Sequence, residues 1–155
     1  MKFSAREDVA APIDKVFEAL NDFEGFERQA MRRGADVQRV DPLTQAGVGM
    51  RWKVYFKMRG RRRELDLELT RYDAPNEMVF DVASTGITGT FGIELLALSR
   101  SRTRMSLALD ILPLTLSARL FVQSLRLAKS SLNKRFKLRV AEYAKGLEER
   151  LQRSA

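Results

Sequence analysis

The amino-acid sequence predicts an α+β fold: a curved antiparallel sheet of about seven strands wrapped around a long C-terminal helix, with two short helices after the first strand. Three observations carry that expectation. From Met50 to Leu109 apolar and polar residues alternate in runs separated by turn-forming residues, the period of strands with one dry face. Between Pro12 and Gly34 the apolar spacing switches to three and four, the period of a helix. After Pro113 that helical spacing returns and runs for about ten turns, long enough to cover the whole sheet.

In chain order, Phe3, Ala5 and Val9 mark a first strand over residues 2 to 9. Pro12 opens a helix whose apolar face holds Ile13, Val16, Phe17 and Leu20; "NDFEGFERQAMRRG" continues as a second helix, with Gly34 at its end. Residues 35 to 41 read as an edge strand leading into "PLTQAGVG". Met50, Trp52, Val54 and Phe56 then share one face, as do Leu65, Leu67 and Leu69 in the following run. A two-residue hairpin loop at Arg59 and Gly60 sets Arg51 opposite Glu68, Lys53 opposite Asp66 and Trp52 opposite Leu67. Opposite charges then meet on the wet side and apolar groups on the dry side, each pair contributing roughly 0.2 to 1 kcal/mol.

The dry face continues through Met78, Phe80 and Val82. Across a turn near Gly86 the expected partners of these three are Leu95, Ile93 and Phe91 respectively. Met105, Leu107 and Leu109 supply a last strand, whose parity requires an odd loop or a bulge. Leu116, Leu120, Phe121, Leu125, Ala128, Leu132, Phe136, Val140, Tyr143, Leu147 and Leu151 form the stripe of one terminal helix, with Arg and Lys on the complementary side. The expectation is a single domain over residues 1–155.

Composition narrows the chemistry. The chain has no cysteine and no histidine, which removes thiolate nucleophiles, most hydrolytic triads and the usual zinc ligands. No metal or cofactor is expected. The N-terminus reads as neither a signal peptide nor a membrane span, which with the missing cysteines gives a cytoplasmic expectation. A net charge of +8 attracts anionic surfaces without naming one. Acid–base candidates reduce to Glu7, on the parity of Phe3 and Val9, and Arg71 beside Tyr72 on the parity of Leu69; neither has a second partner, and no catalytic residue is assigned.

Four arginines fall within residues 59 to 63. They read first as a solvated hairpin tip that discourages edge pairing. Arg63, on the side of Phe56, is the one placed to meet an acidic ligand group. Nucleic acid is not expected, because the basic positions lack interleaved aromatics or a continuous stripe. The basic, apolar terminal helix allows a transient contact with an anionic membrane surface.

The ordered pieces "APIDKVFEALNDFEGF", "GVGMRW" and "RYDAPNEMVFDV", followed by the amphipathic terminal helix, resemble the helix-grip superfamily of START-type lipid-transfer domains, pollen allergens and polyketide cyclases (SRPBCC). The resemblance spans nearly the whole chain. It implies a cavity between sheet and helix that takes a small hydrophobic or amphipathic molecule, in a monomer or weak homodimer. Trp52, Val54, Phe56, Leu67, Leu69, Phe80, Phe91, Leu107 and Leu109 on the sheet are the candidate lining, with Leu125, Ala128 and Leu132 above and Arg63 at the rim. Two alternatives stay open: a cyclase- or hydrolase-type enzyme of the same fold, and a partner-binding regulatory module.

Overall fold

The structure is a computed structural model that describes residues 1–154. Its elements are β1 (Lys2–Val9), α1 (Ile13–Leu20), α2 (Phe23–Arg32), β2 (Asp36–Arg39), β3 (Arg51–Met58), β4 (Arg61–Asp73), β5 (Glu77–Ser84), β6 (Ile87–Ser99), β7 (Arg102–Pro113), α3 (Leu116–Leu127) and α4 (Lys129–Ser154). The seven strands form one antiparallel sheet in the order β1-β7-β6-β5-β4-β3-β2. The single crossover follows β1, where α1 and α2 carry the chain to the opposite edge; all later strands join by hairpins.

Local chemistry sets the boundaries. Pro12 caps α1 in an extended conformation and lacks the N–H that a first turn would leave unpaired. Asp22 caps α2 by accepting a hydrogen bond from the Gly25 amide at 3.1 Å. Arg59 and Gly60 both have positive φ, 53° and 75°, as a tight twisted hairpin loop requires. The β3–β4 register is the expected one, with Arg51 opposite Glu68, Trp52 opposite Leu67 and Lys53 opposite Asp66.

One register, the face taken by Arg71 and one helix differ from the sequence expectation, while the β6–β7 pairing meets it. Between β5 and β6, Phe80 faces Phe91 and Met78 faces Ile93, two residues from the expected pairing, because Thr85 and Gly86 alone make the turn, with Gly86 at φ 71°. In β4 a bulge between Leu69 and Arg71 reverses the inside–outside alternation. Tyr72 therefore points inward against Phe17, and Arg71 points out to pair with Glu77, so Arg71 does not share the face of Leu69. The β6–β7 ladder absorbs its parity mismatch in an irregularity between Ala97 and Ser99.

The terminal segment is two helices, not one. Ala128 ends α3 with φ −105° and ψ 12°, and its carbonyl accepts the Leu132 amide of α4. Serine and asparagine in "AKSSLN" have low interior helix propensity and compete locally for backbone hydrogen bonds, which locates the break. The 26 residues of α4 span roughly 39 Å and pack chiefly along β1, with Phe136 against Phe3. By contrast α3 turns away to close one end of the sheet, at the tip of the β3–β4 hairpin and the β5–β6 turn.

The core is therefore lopsided. Val9, Val16, Leu69, Met78, Met105 and Leu147 are fully enclosed where α1 and α4 meet the sheet. Toward α3, the inward residues Val54, Phe56, Leu65, Val82 and Leu109 are only partly covered. Among the described residues no helix is long and apolar enough to cross a membrane.

Candidate ligand-binding cavity

Half of the sheet's concave face is packed solid and half is not, and a cavity of about 440 Å³ opens at the boundary. That size falls inside the usual range for small-molecule sites. Its floor is the sheet: Trp52 and Val54 from β3, Leu67 from β4, Phe80 from β5, Phe91 and Ile93 from β6, and Leu107 from β7. One wall is Leu20, Phe23, Phe26, Glu27 and Ala30, which recur at helical spacing from the end of α1 through α2. The other is Arg139, Val140 and Tyr143 of α4, and Val37 of β2 adds the edge.

Aromatic packing fixes the shape. The Phe80 ring centroid lies 6.0 Å from Trp52, 6.3 Å from Phe23 and 6.3 Å from Phe91, making it the hub of the floor. Trp52 is held further by its indole N–H, which donates to Glu27 Oε1 at 2.9 Å, and by the Arg39 guanidinium 5.7 Å from its ring centroid. Arg39 is itself anchored on Asp41, which accepts from Arg39 Nε at 2.6 Å and from the Leu43 and Arg51 amides. These donors hold the Asp41 carboxyl well below the usual carboxylate range and enclose it locally, although the loop sits at the molecular surface.

Polar groups in the lining are few: Glu27, Arg139 and the Tyr143 hydroxyl. The Tyr143 oxygen is buried and has no well-formed hydrogen bond among the described residues. Burial pushes its pKa up, partly opposed by the positive charge of Arg150. Tyr72, in the packed half, is pushed up by burial as well, and its hydroxyl donates to Asn21 Oδ1 at 2.7 Å. Larger in volume, at about 630 Å³, is a hollow along β1, β6 and β7, but its lining mixes the charged Lys2, Arg6, Glu7, Glu94 and Lys137 with Leu107 and small side chains and has no aromatic floor. Among the described residues no cluster of three acidic, histidine or cysteine side chains is close enough to hold a metal ion.

Of the residues singled out from sequence, Trp52, Val54, Leu67, Phe80, Phe91 and Leu107 surround the cavity. Leu69 lies in the solid core. Phe56 and Leu109 face inward beyond the cavity, toward α3. Arg63 is half-buried, but its guanidinium lies 5.0 Å from the ring centroid of Phe121 in α3, not at the cavity rim. Leu125 belongs to α3, Ala128 is exposed at the helix junction and Leu132 lies before the stretch of α4 that forms the wall. The break at Ala128 displaces the roof by about three to four turns, onto residues 139 to 143. The sequence-derived lining omits Leu20, Phe23, Phe26, Glu27, Ala30, Val37, Ile93, Arg139, Val140 and Tyr143; the helical spacing of the α2 set is the available signal.

With this geometry in view, a family profile described as polyketide cyclase / dehydrase and lipid transport matches residues 1–148. The chain belongs to that family. Among solved structures, this family member is similar to the Zhui aromatase/cyclase from Streptomyces sp. R1128, with 14% identity, coverage of 97% of this chain and 95% of that one, and a TM-score of 0.68. It is similar also to TTHA0849 from Thermus thermophilus, at 18% identity, 100% and 99% coverage, and a TM-score of 0.66. An HSP90 activator from Plasmodium falciparum shares 20% identity over 74% of this chain and 76% of its own, with a TM-score of 0.52. At such identities these likenesses establish the helix-grip fold. No curated protein matches the sequence.

Proposed function

We propose that this family member binds a small hydrophobic or amphipathic molecule in the cavity between sheet and α4. The supporting observation is an aromatic floor, with Trp52 buried and Phe80 and Phe91 half-buried, beneath walls that carry only three polar groups. An apolar ligand body there gains roughly 25 cal/mol for each Å² removed from water. Glu27 and Arg139 orient the polar end of the ligand, and Tyr143 offers a buried hydroxyl that has no well-formed partner among the described residues.

The cavity has a single carboxylate, Glu27, already engaged by the Trp52 indole. That favours holding a molecule over a reaction needing both a general acid and a general base. Native mass spectrometry of the purified protein, followed by denaturing extraction, tests the proposal. The expected result is a stoichiometric adduct that yields an amphipathic small molecule. Protein that stays free of adduct and leaves Trp52 emission unchanged on titration with amphipathic fluorophores would refute it.

A further inference from the structure

A second feature lies outside the cavity. Helix α3 is apolar on two opposite faces, and only one of them is used. Ala118, Phe121, Val122 and Leu125 turn toward the protein, with Val122 fully buried. Leu116, Leu120 and Leu127 fall within about 40° of one another on the far side, where they are 74%, 61% and 92% exposed. Leu112 and Leu114, directly upstream, are also exposed. Surface leucines scattered singly need no explanation, whereas a helical stripe of them does.

Charge surrounds the stripe on both sides. Arg119 and Arg126 flank it on one side. On the other, the β3–β4 hairpin leans in: Arg59 donates to Ser124 Oγ at 2.8 Å and lies, with Arg63, over the Phe121 ring. Residues 57–63 and 111–129 together hold 8 basic side chains and no acidic one, leaving 20 basic against 20 acidic for the rest of the chain. The positive charge of the whole protein is thus concentrated around one apolar ridge.

We propose that α3 and the β3–β4 hairpin form a docking surface for an anionic phospholipid bilayer, with the leucine ridge entering the interfacial zone and the cations meeting headgroup phosphates. A basic amphipathic helix lying in the interface has this combination of features. A second copy of the chain fits the ridge poorly, because a two-fold contact through it would oppose one set of arginines to the same set. Nucleic acid fits poorly too: it would use the cations and leave an aliphatic ridge, with no stacking ring, facing water. The docking surface stands independently of the cavity reading.

The test is flotation of the full-length protein with vesicles of phosphatidylcholine alone and of phosphatidylcholine mixed with phosphatidylglycerol. Binding to the anionic vesicles is expected to be at least about tenfold tighter and to weaken as salt rises. Leu127→Asp, at a position almost wholly in water, should weaken it at least about fivefold without moving the melting temperature, and Arg119→Glu with Arg126→Glu should remove the preference for anionic lipid. Equal binding to both vesicle types, or undiminished binding by Leu127→Asp in a protein that melts as the parent does, overturns the proposal. So does a dimer in sedimentation, or a complex with DNA, that Leu127→Asp dissolves while vesicle binding persists.

Discussion

Replacing Val54 with glutamate separates a ligand cavity from a merely loose core. Val54 is half-buried on the cavity floor, so in the free protein a carboxylate there keeps access to water. The expected loss of stability is accordingly under about 1.5 kcal/mol. A bound apolar molecule would cover the remaining half of the side chain. With valine that covering gains about 1 kcal/mol, half the value of a fully buried side chain. With glutamate the gain vanishes and the carboxylate must shed water, which costs several kcal/mol in a closed interior and roughly 2 kcal/mol at an open edge such as this. The sum, about 3 kcal/mol, is roughly a hundredfold in affinity. Trp52 is the only tryptophan in the sequence and lines the same cavity, so its emission reports occupancy directly. Anilinonaphthalene sulfonate, apolar with one acidic group, is a suitable probe. Gln38→Glu, exposed on β2 opposite Lys53, supplies the same charge on the wet face and should leave binding unchanged. A Val54→Glu protein that folds normally and binds within about threefold of the parent would refute the cavity argument.

Other consequences follow from contacts away from the floor. Arg63→Ala removes one of two guanidinium groups stacked on Phe121 and should lower stability by about 0.5 to 1 kcal/mol, with faster hydrogen exchange confined to α3; uniform change across the protein would contradict that docking role. Gly86→Ala would set a Cβ 2.6 Å from Thr115 Oγ1, the cap of α3, on a backbone at φ 71°, so a loss of at least about 1 kcal/mol is expected in thermal melts. The folded-state pKa of Asp41 is depressed, so its contribution is complete above the ordinary carboxylate range and is lost as pH falls through the lowered value. Asp41→Asn should lower neutral-pH stability by roughly 1.5 kcal/mol, the low end for hydrogen bonds to a charged group, and should flatten the acid limb of the stability–pH curve. An acid limb identical to the parent's would show that Asp41 does not carry it.

Legibility in the sequence followed the range of the interaction. The β3–β4 register was readable because charge pairs, apolar pairs and the Arg59–Gly60 loop all specify the same alignment over a few residues. The β5–β6 pairing slipped by two because parity is preserved under such a shift, and only the actual turn at Thr85–Gly86 distinguishes the alternatives. The bulge beside Thr70 left no mark in the alternation, yet it exchanged Arg71 for Tyr72 on the inner face. Six floor residues could be named from their period alone, since a strand puts alternate side chains on one face wherever it lies.

The local periods, the missing histidine and cysteine, and the clustering of positive charge were properties of the sequence by itself, because each depends on neighbours along the chain. The tertiary structure decided which part of the terminal segment roofs the sheet, that Arg59 and Arg63 grip Phe121, and that α2 closes the cavity wall. Those outcomes turn on where a helix breaks and how it crosses a curved sheet, and one residue's backbone at Ala128 redirects everything on either side of it. Periodicity says which face of an element is apolar; only packing determines what that face meets, or that Leu116, Leu120 and Leu127 of α3 stay largely exposed among the described residues.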